Sequence, residues 1–268
     1  MDSKTSWLTG PMAILIGSVI VSIAILIAGG TITLPLGNIK GAQITPTTTP
    51  QVTTAPQKPT ITLNQIKETF SKAAIKFGDA NKKLIVLEVS DPSCPYCQVA
   101  AGKNPELNKE AGSKFTLVAD GGTYVAPVPE IEKLVKDGKA SFAFLYFPGH
   151  GNGELGTKAL YCAFEQGKFW ETHDLLMSSK GYDLLNNQVK NDKTKIGELA
   201  DFLQPAIDSA TLTKCLESGK YDDQLKTDMS LAGSLGISGT PGFYLNTTNF
   251  SGAYSYKDME SVVASALK

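Results

Sequence analysis

The sequence predicts an α/β domain in which a block of helices is inserted between strands, with an apolar segment and a polar linker before it. Short runs rich in β-branched residues lie before and after a stretch, about 153–236, in which only helical patterns recur. An almost wholly apolar run, Met12–Ala28, lies near the N-terminus. The chain has 268 residues, 42% of them hydrophobic, which is enough for a sizeable packed core.

The charge and the cysteine count narrow the class of protein. The chain has 25 Lys and Arg residues against 26 Asp and Glu residues, so its overall charge does not indicate nucleic-acid binding. Four cysteines are too few for a disulfide-dense scaffold, but they permit two pairs in an oxidising compartment. The compartment is therefore the first question.

Residues 1–30 are expected to be a short cytoplasmic N-terminus followed by a single transmembrane anchor. No charged residue lies between Lys4 and Lys40, and Met12–Ala28 with its apolar flanks reaches the roughly 20 residues that a membrane span needs. The positive-inside rule places Lys4 in the cytoplasm, so the rest of the protein is expected outside the cell membrane. The alternative is a signal peptide cleaved near the small residues Ala28–Gly30.

Residues 31–60 are predicted to be a linker. From Gly41 to Thr60 this segment is rich in Thr and Pro, has almost no large apolar side chain and carries one charge, at Lys58. Such a composition buries too little apolar surface to fold. The folded domain is therefore expected to span residues 61–268.

The order of elements in that domain follows from the hydrophobic periods. Before the helical block, the patterns predict these elements in order: a helix over Leu63–Phe77, a buried strand over Lys82–Ser90, a helix over Gln98–Ala111 interrupted by Pro105, a short helix over Ile131–Lys136 and a buried strand over Ala140–Pro148. The block itself has five predicted helices: Leu155–Gln166, Phe169–Met177, Ile196–Leu203, Ala210–Leu216 and Tyr221–Leu235. After it come a strand over Phe243–Leu245, a partner strand from Phe250 and a closing helix over Tyr256–Leu267.

Two cysteines lie at the end of the first long strand, in the sequence Cys94-Pro-Tyr-Cys97. This spacing occurs in zinc sites and in redox sites. A structural zinc site takes four Cys or His ligands, commonly in two close pairs. Cys162 and Cys215 are far apart, and neither histidine has ligand-like spacing, so the sequence favours a redox pair and no metal.

The position of the pair assigns a different role to each thiol. Cys94 is expected in the first turn of a helix, where free backbone N–H groups and the helix dipole stabilise a thiolate. It is therefore the expected attacking thiol, which forms the mixed disulfide. Cys97 lies one turn later on the same side and is the expected resolving thiol. Pro95 suits the first helical position because its missing N–H would have no partner there.

The strand, the Cys-Pro-Tyr-Cys motif at a helix start, the helical block and the late sequence Gly-Thr-Pro resemble the thioredoxin fold of DsbA-like thiol-disulfide oxidoreductases. The resemblance covers about Ile61 to Lys268. It implies an α/β thioredoxin fold with an inserted all-helical domain, preceded by the N-terminal transmembrane helix and linker. It also implies an enzyme without a cofactor.

The resemblance extends to site residues beyond the two thiols. Pro241, preceded by Thr240, matches a family proline that takes the cis form beside the active-site disulfide; the alternative is an ordinary trans proline. Glu88 matches a buried acid beneath the pair, where burial would raise its pKa and let it exchange a proton with Cys97; a solvent-facing Glu is the alternative. Some family members clasp the helical block with a second disulfide, which here would join Cys162 and Cys215. Two buried free thiols are the alternative.

The resemblance leaves the direction of electron transfer open. An oxidase that introduces disulfides into exported proteins is the leading hypothesis, and a disulfide reductase or isomerase is the rival. The alternative from another class is a redox-inactive peptide-binding or chaperone module. The implied partners are exported proteins with thiols or disulfides and a membrane, quinone-linked reoxidant of the DsbB or VKOR type. The resemblance implies no nucleic-acid partner, and a monomer is expected.

Five further residues have less specific signals. His173 lies in a stretch similar to the family's helical insert and is expected to be a packing residue, with a catalytic role as the alternative. His150 is expected at the surface. Asp91 either tunes the Cys94 thiolate or is simply solvated. Asn246 and Asn249 match glycosylation acceptors, which matter only in a host that modifies asparagine outside the membrane.

Overall fold

A computed structural model of the protein describes residues 60–268. The anchor predicted for residues 1–30 and the linker predicted for residues 31–60, except Thr60, lie outside the described residues. Within residues 60–268, none of the helices combines the length and the apolar character needed to cross a bilayer.

The described part of the chain contains a mixed set of strands and helices. The strands are β1 (Ile75–Phe77), β2 (Leu84–Ser90), β3 (Ala140–Tyr146), β4 (Gly242–Leu245) and β5 (Thr248–Ser251). The helices before β3 are α1 (Leu63–Lys72), α2 (Pro95–Ala101), α3 (Pro105–Glu110) and α4 (Pro127–Lys136). The helices after β3 are α5 (Glu154–Glu165), α6 (Phe169–Leu176), α7 (Ser179–Asp183), α8 (Ile196–Leu203), α9 (Ser209–Glu217), α10 (Asp222–Ser234) and α11 (Tyr256–Leu267).

The strands form one sheet in the order β1-β3-β2-β4-β5. The central strand β2 runs parallel to β3 and antiparallel to β4, and the two outer pairs are antiparallel. Every residue of β2 and β3 is buried, because helices cover both faces of the sheet. This explains why both strands are continuous apolar runs. The α/β fold with a thioredoxin-like sheet and a large helical content agrees with the sequence-based prediction.

Alternate residues of β2 enter two different cores. Leu84 and Val86 belong to the larger core, which they share with residues of the helical block such as Phe169. Leu87 belongs to a smaller core on the other face of the sheet, which contains Ile66 of α1. Since side chains alternate along a strand, Glu88 and Ser90 share the face of Val86, towards the larger core.

The sequence-based prediction for the first element was wrong at its C-terminal end. A helix over Leu63–Phe77 was expected, but α1 ends at Lys72 and Ala73 is extended, with ψ 139°. Ile75 and Phe77 pair with β3, and the Phe77 ring stacks on Trp170 with centroids 5.5 Å apart. Helical spacing in the sequence cannot reveal the stability gained from these contacts, because the partners of Phe77 lie far along the chain.

The helices between β3 and β4 occupy Glu154 to Ser234, and one helical stretch among them was not predicted. It comprises α7 and a π-helical turn over Leu184–Val189. Gly181 and several Asn residues give this stretch a low helix propensity. Burial of Leu184 and Leu185 in the larger core holds it in place, so tertiary packing overrides the local preference.

Candidate active site

The redox pair lies where the central strand β2 meets helix α2. Cys94 is the N-cap of α2, Pro95 is the first helical residue, and the Gln98 N–H donates to the Cys94 carbonyl at 3.1 Å. Cys94 and Cys97 are both free thiols. They form a small apolar cluster with Ala101 and Met177. The strand therefore delivers Cys94 to the start of a helix that carries Cys97 one turn further on.

Cys94 is held in an environment that favours its thiolate. A hydrogen bond from the Cys97 thiol is the main cause that lowers the pKa of Cys94, from an ordinary 9.0 to about 6. Burial acts in the opposite direction, since only 4% of Cys94 is exposed. The Thr240 hydroxyl and the backbone N–H groups of Tyr96 and Cys97 add to the lowering. Cys94 is therefore largely ionised at neutral pH.

Cys97 has the opposite character. It is fully buried, and this burial raises its pKa well above the ordinary value; the neighbouring Cys94 thiolate raises it further. The backbone N–H of Asp91 lies 3.4 Å from the Cys97 sulfur and donates to it. The two thiols are thus electrostatically unlike: one is a stable thiolate, and the other is a buried thiol that holds its proton.

The loop before β4 closes the site from one side. The Thr240–Pro241 peptide bond is cis, as the resemblance implied. The Cys94 sulfur lies 3.6 Å from the Thr240 carbonyl oxygen. Pro241 itself is buried, and Gly242 after it begins the strand that pairs with β2. The sheet register therefore holds Thr240 and Pro241 against the reactive thiol.

A second loop, after β3, approaches the same point. A Cβ atom built on Gly149 would lie 2.8 Å from the Cys94 Cβ and would overlap the Thr240 hydroxyl. Real Cβ atoms do not come this close to other heavy atoms, so a glycine is needed here. Gly149 was not among the site residues predicted from the sequence. Its only signal is the Gly-rich composition of the loop around His150.

Asp91 joins these loops, and this also escaped the sequence analysis. Its side chain is fully buried and accepts four hydrogen bonds. One carboxylate oxygen accepts from the Ser93 N–H and hydroxyl, each at 2.7 Å, and the other accepts from the N–H groups of Gly149 (2.8 Å) and His150 (3.0 Å). Asp91 is therefore not simply solvated. It holds the loop before Cys94 and the loop after β3 in one arrangement.

Glu88 lies in the middle of β2, six residues before Cys94. It is 1% exposed, and burial is the main cause that raises its pKa above the ordinary value, with His173 and Ser90 acting in the opposite direction. The solvent-facing alternative for Glu88 is thus inconsistent with the structure. Ser90 neighbours both Glu88 and Cys97, and a carboxyl group with a raised pKa is suited to accept or return a proton.

The other sequence-predicted residues include a second cysteine pair and two histidines. Cys162 in α5 and Cys215 in α9 are joined by a disulfide that links two helices of the block. His150 is exposed, as expected. His173 is fully buried against the Phe169 and Trp170 rings, which agrees with a packing position. No cluster of three potential metal ligands occurs among residues 60–268.

A groove of about 590 Å³ runs from Tyr96, the residue between Pro95 and Cys97, along the loop after β5. The aromatic side chains that line it are Tyr96, Phe115, Tyr124 and Tyr254. Tyr96 is 48% exposed and Tyr254 is 45% exposed. Thr240 lines the same groove. A partly aromatic surface, which also carries Lys114 and Asp258, therefore begins at two neighbours of Cys94, Tyr96 and Thr240.

The sequence model of the thioredoxin family matches residues 128–265, just over half of the chain. This chain belongs to the thioredoxin family. The matched range includes Pro241 and the whole helical block, while Cys94 and Cys97 lie before it. The family agrees with the enzyme class expected from the sequence, a thiol-disulfide oxidoreductase.

Solved structures with the same fold include DsbA-type proteins. Oxidised BdbD from Bacillus subtilis is 20% identical with a TM-score of 0.52, and the match covers 72% of this chain and 91% of that one. The thiol-disulfide exchange protein α-DsbA2 from Wolbachia pipientis is 18% identical with a TM-score of 0.54, and the match covers 76% and 92%. At these identities the likeness establishes the fold.

Curated relatives are much longer than this chain. A Na⁺/H⁺ antiporter, NhaA 3, from Salinispora tropica is 23% identical over 190 residues, which are 70% of this chain and 24% of the antiporter. The chain thus spans about a quarter of the length of the curated relatives it matches.

Proposed function

We propose that this protein is a thiol-disulfide oxidase that introduces disulfides into exported proteins through Cys94 and Cys97. The observation that carries the proposal is the contrast between the thiols: the pKa of Cys94 is lowered to about 6, whereas that of Cys97 is raised. A stable thiolate favours the reduced protein over its disulfide. The disulfide is then a strong oxidant of other thiols.

The reaction is an exchange in two steps. A substrate thiolate attacks the Cys94 sulfur, the Cys94–Cys97 bond breaks, and Cys97 leaves with the bonding electron pair and takes up a proton. The second substrate thiolate then attacks the substrate sulfur of the mixed disulfide and releases Cys94 as its thiolate. Two electrons pass from the substrate dithiol to the redox pair, so a membrane reoxidant of the DsbB or VKOR type must remove them.

The substrate class follows from the groove beside Cys94. Its exposed rings, Tyr96 and Tyr254, suit an extended polypeptide with apolar or aromatic side chains near its cysteine. Folded substrates rarely expose such segments. We therefore propose newly exported, unfolded chains as the substrates.

The same proposal places the domain outside the cell membrane, tethered by residues 1–30. An oxidase requires a compartment without a reducing thiol pool, and the charge pattern around Met12–Ala28 favours that orientation. Protease added to intact cells should digest the domain, and alkaline extraction should leave the full chain in the membrane. Protection from protease in intact cells would contradict this placement.

The redox equilibrium with glutathione tests the direction of the reaction. An oxidase should have a potential close to about −120 mV, whereas a value near −270 mV would indicate a reductase. The full chain should also oxidise a reduced, unfolded test protein in stoichiometric amounts. Efficient rescue of a scrambled test protein without net oxidation would indicate an isomerase instead.

Two serine variants connect this activity to the site. Cys94→Ser should abolish exchange, and Cys97→Ser should accumulate mixed disulfides with the substrate at Cys94. Cys162 and Cys215 remain in both variants, so the residual activity reports on the redox pair alone. Unchanged oxidation by Cys94→Ser would contradict the assignment. Peptide binding without any exchange in the unmodified protein would favour a binding module.

A further inference from the structure

Two buried polar side chains, one on β2 and one on α6, have no hydrogen-bond partner among residues 60–268. Glu88 is 1% exposed and neither of its carboxylate oxygens is hydrogen-bonded. His173 is fully buried and neither ring nitrogen is hydrogen-bonded. Burying such groups without partners costs about 1–3 kcal/mol each, so their position calls for a physical explanation.

Helix α6, which carries His173, packs directly against the redox helix. Met177, which follows the last residue of α6, belongs to the apolar cluster of Cys94 and Cys97. The Gln98 side chain of α2 donates to the Leu176 carbonyl at 3.0 Å. His173 lies four residues before Met177 and thus on the same side of the helix. This side of α6 faces the redox pair.

His173 also faces the same layer as Glu88. Phe169, one turn before His173, lies with its ring centroid 5.7 Å from the imidazole and 5.8 Å from the Phe144 ring. Phe144 is the register partner of Glu88 in the neighbouring strand β3. His173 is close enough to Glu88 to favour its charged form and so to oppose the effect of burial.

Ser90 is a neighbour that Glu88 and Cys97 share. Ser90 lies two residues after Glu88 on the same strand face, and it is fully buried. Its hydroxyl lies close enough to both Glu88 and Cys97 to favour the charged form of each. Neither contact has the geometry of a full hydrogen bond.

On the side away from the thiols, His173 approaches the partly exposed residue Asp174. The His173 Nδ1 atom lies 3.5 Å from an Asp174 carboxylate oxygen, and the other oxygen accepts from the Lys103 Nζ at 2.5 Å. The Asp174 side chain is 37% exposed. Lys136 and Glu171 are the other charged groups on this side. A row of titratable groups thus extends from the buried thiol to the surface.

We propose that His173 relays protons between Glu88 and the surface residue Asp174, and that Cys97 gains or loses its proton by this route. The inference rests on the proposed thiol exchange. When a substrate thiolate attacks Cys94 and the disulfide breaks, the Cys97 thiolate takes the proton of the Glu88 carboxyl group. Glu88 is reprotonated from His173, and His173 from solvent at Asp174. When the disulfide forms again, Cys97 gives its proton to Glu88 and the proton leaves through His173 to solvent at Asp174. Charge is therefore balanced in both directions.

Resolution of a mixed disulfide isolates the proton step. Glutathione is placed on Cys94 of the full chain, and its release by Cys97 is followed by rapid mixing over a range of pH. This release requires Cys97 to lose its proton. We expect His173→Gln and Glu88→Gln each to slow it by about 10-fold at neutral pH, less than the 10²–10⁴-fold of direct acid–base catalysis. The double variant should be no slower than the slower single one.

A histidine that only packs would give a different result. His150→Gln is the matched control, because His150 is exposed and its side chain lies outside the relay. It should release glutathione at the unmodified rate at every pH. If His173→Gln unfolds more readily but keeps both the rate and its pH profile, the relay is overturned and His173 is a packing residue.

Asp174→Asn provides a variant that does not disturb the core. We expect it to slow release several-fold at neutral pH and to alter the pH profile, while thermal unfolding stays unchanged. An unaltered pH profile in Asp174→Asn would overturn the role of Asp174 in the relay. If instead the unmodified protein neither forms nor resolves the mixed disulfide, the proposed function itself fails, and the two failures are thereby distinguished.

Discussion

The Asp91 carboxylate accepts a hydrogen bond of 2.8 Å from the backbone N–H of Gly149, across 58 positions of sequence. This bond joins the loop that presents Cys94 to the loop after β3. The same carboxylate holds Ser93 from the other side. The geometry around the reactive thiol therefore depends on a buried charge that accepts hydrogen bonds from both loops.

Replacing that charge should loosen both loops. In Asp91→Asn an amide NH₂ faces backbone donors, so at least one of them loses its acceptor. We expect a loss of about 3 kcal/mol in the free energy of unfolding. Amide hydrogen exchange at Gly149 and His150 should become at least about tenfold faster. The control is Asp137→Asn in an exposed turn, which should change neither the free energy of unfolding nor the exchange rates. Equal effects from both variants would contradict the role of Asp91.

Adding one methyl group at Gly149 should damage the site without removing a polar contact. The new Cβ would overlap the Thr240 hydroxyl and press on Cys94. We expect Gly149→Ala to cost about 1–3 kcal/mol of stability and to slow alkylation of Cys94. Gly197→Ala, in an open position of α8, is the control and should be neutral or stabilising. Full activity of Gly149→Ala would show that the close approach of Gly149 to Cys94 and Thr240 does not require a glycine.

The reactivity of Cys94 should depend on pH with a midpoint near 6. The rate of alkylation follows the thiolate fraction, so it should rise through that pH and level off above it. Cys97→Ala removes the main donor to the Cys94 sulfur, so its midpoint should lie above that of the unmodified protein. A midpoint close to 9 in the unmodified protein would contradict the stabilised thiolate.

The stability of the reduced protein should rise with pH over the same range. In the unfolded chain Cys94 titrates near 9.0 and in the folded protein near 6. Between these values the unfolded chain binds more protons, so folding is favoured increasingly as pH rises, by up to about 4 kcal/mol. Urea unfolding of the reduced and oxidised proteins at several pH values measures this. The oxidised protein lacks the titrating thiol, and an equal slope in both forms would contradict the prediction.

The Cys162–Cys215 disulfide should stabilise the helical block without affecting the redox pair. It closes a loop across 53 positions, so the double variant Cys162→Ala/Cys215→Ala should lose about 4 kcal/mol in the chain-entropy model. The pH profile of Cys94 alkylation should stay the same. A loss below about 1 kcal/mol would show that the bond adds little to folding.

Much of the fold follows from local pattern. The continuous apolar runs of β2 and β3 required burial on both faces, and helix α11 follows directly from its hydrophobic period. The helix predicted over Leu63–Phe77 failed at Ile75–Phe77, because pairing with β3 outweighed helical spacing there. The stretch from Ser179 to Val189 was missed for the converse reason: its helix depends on burial rather than on propensity.

The sequence by itself determined the chemistry of this protein: a Cys-Pro-Tyr-Cys pair at a strand-to-helix junction, an acid in an apolar strand and a Thr-Pro step before a late strand. These signals are local, since each depends on a residue type at a short spacing. Only the tertiary structure decided what surrounds the pair. Asp91 and Gly149 become part of the site through contacts with residues distant in sequence, and such contacts leave no period or motif to read.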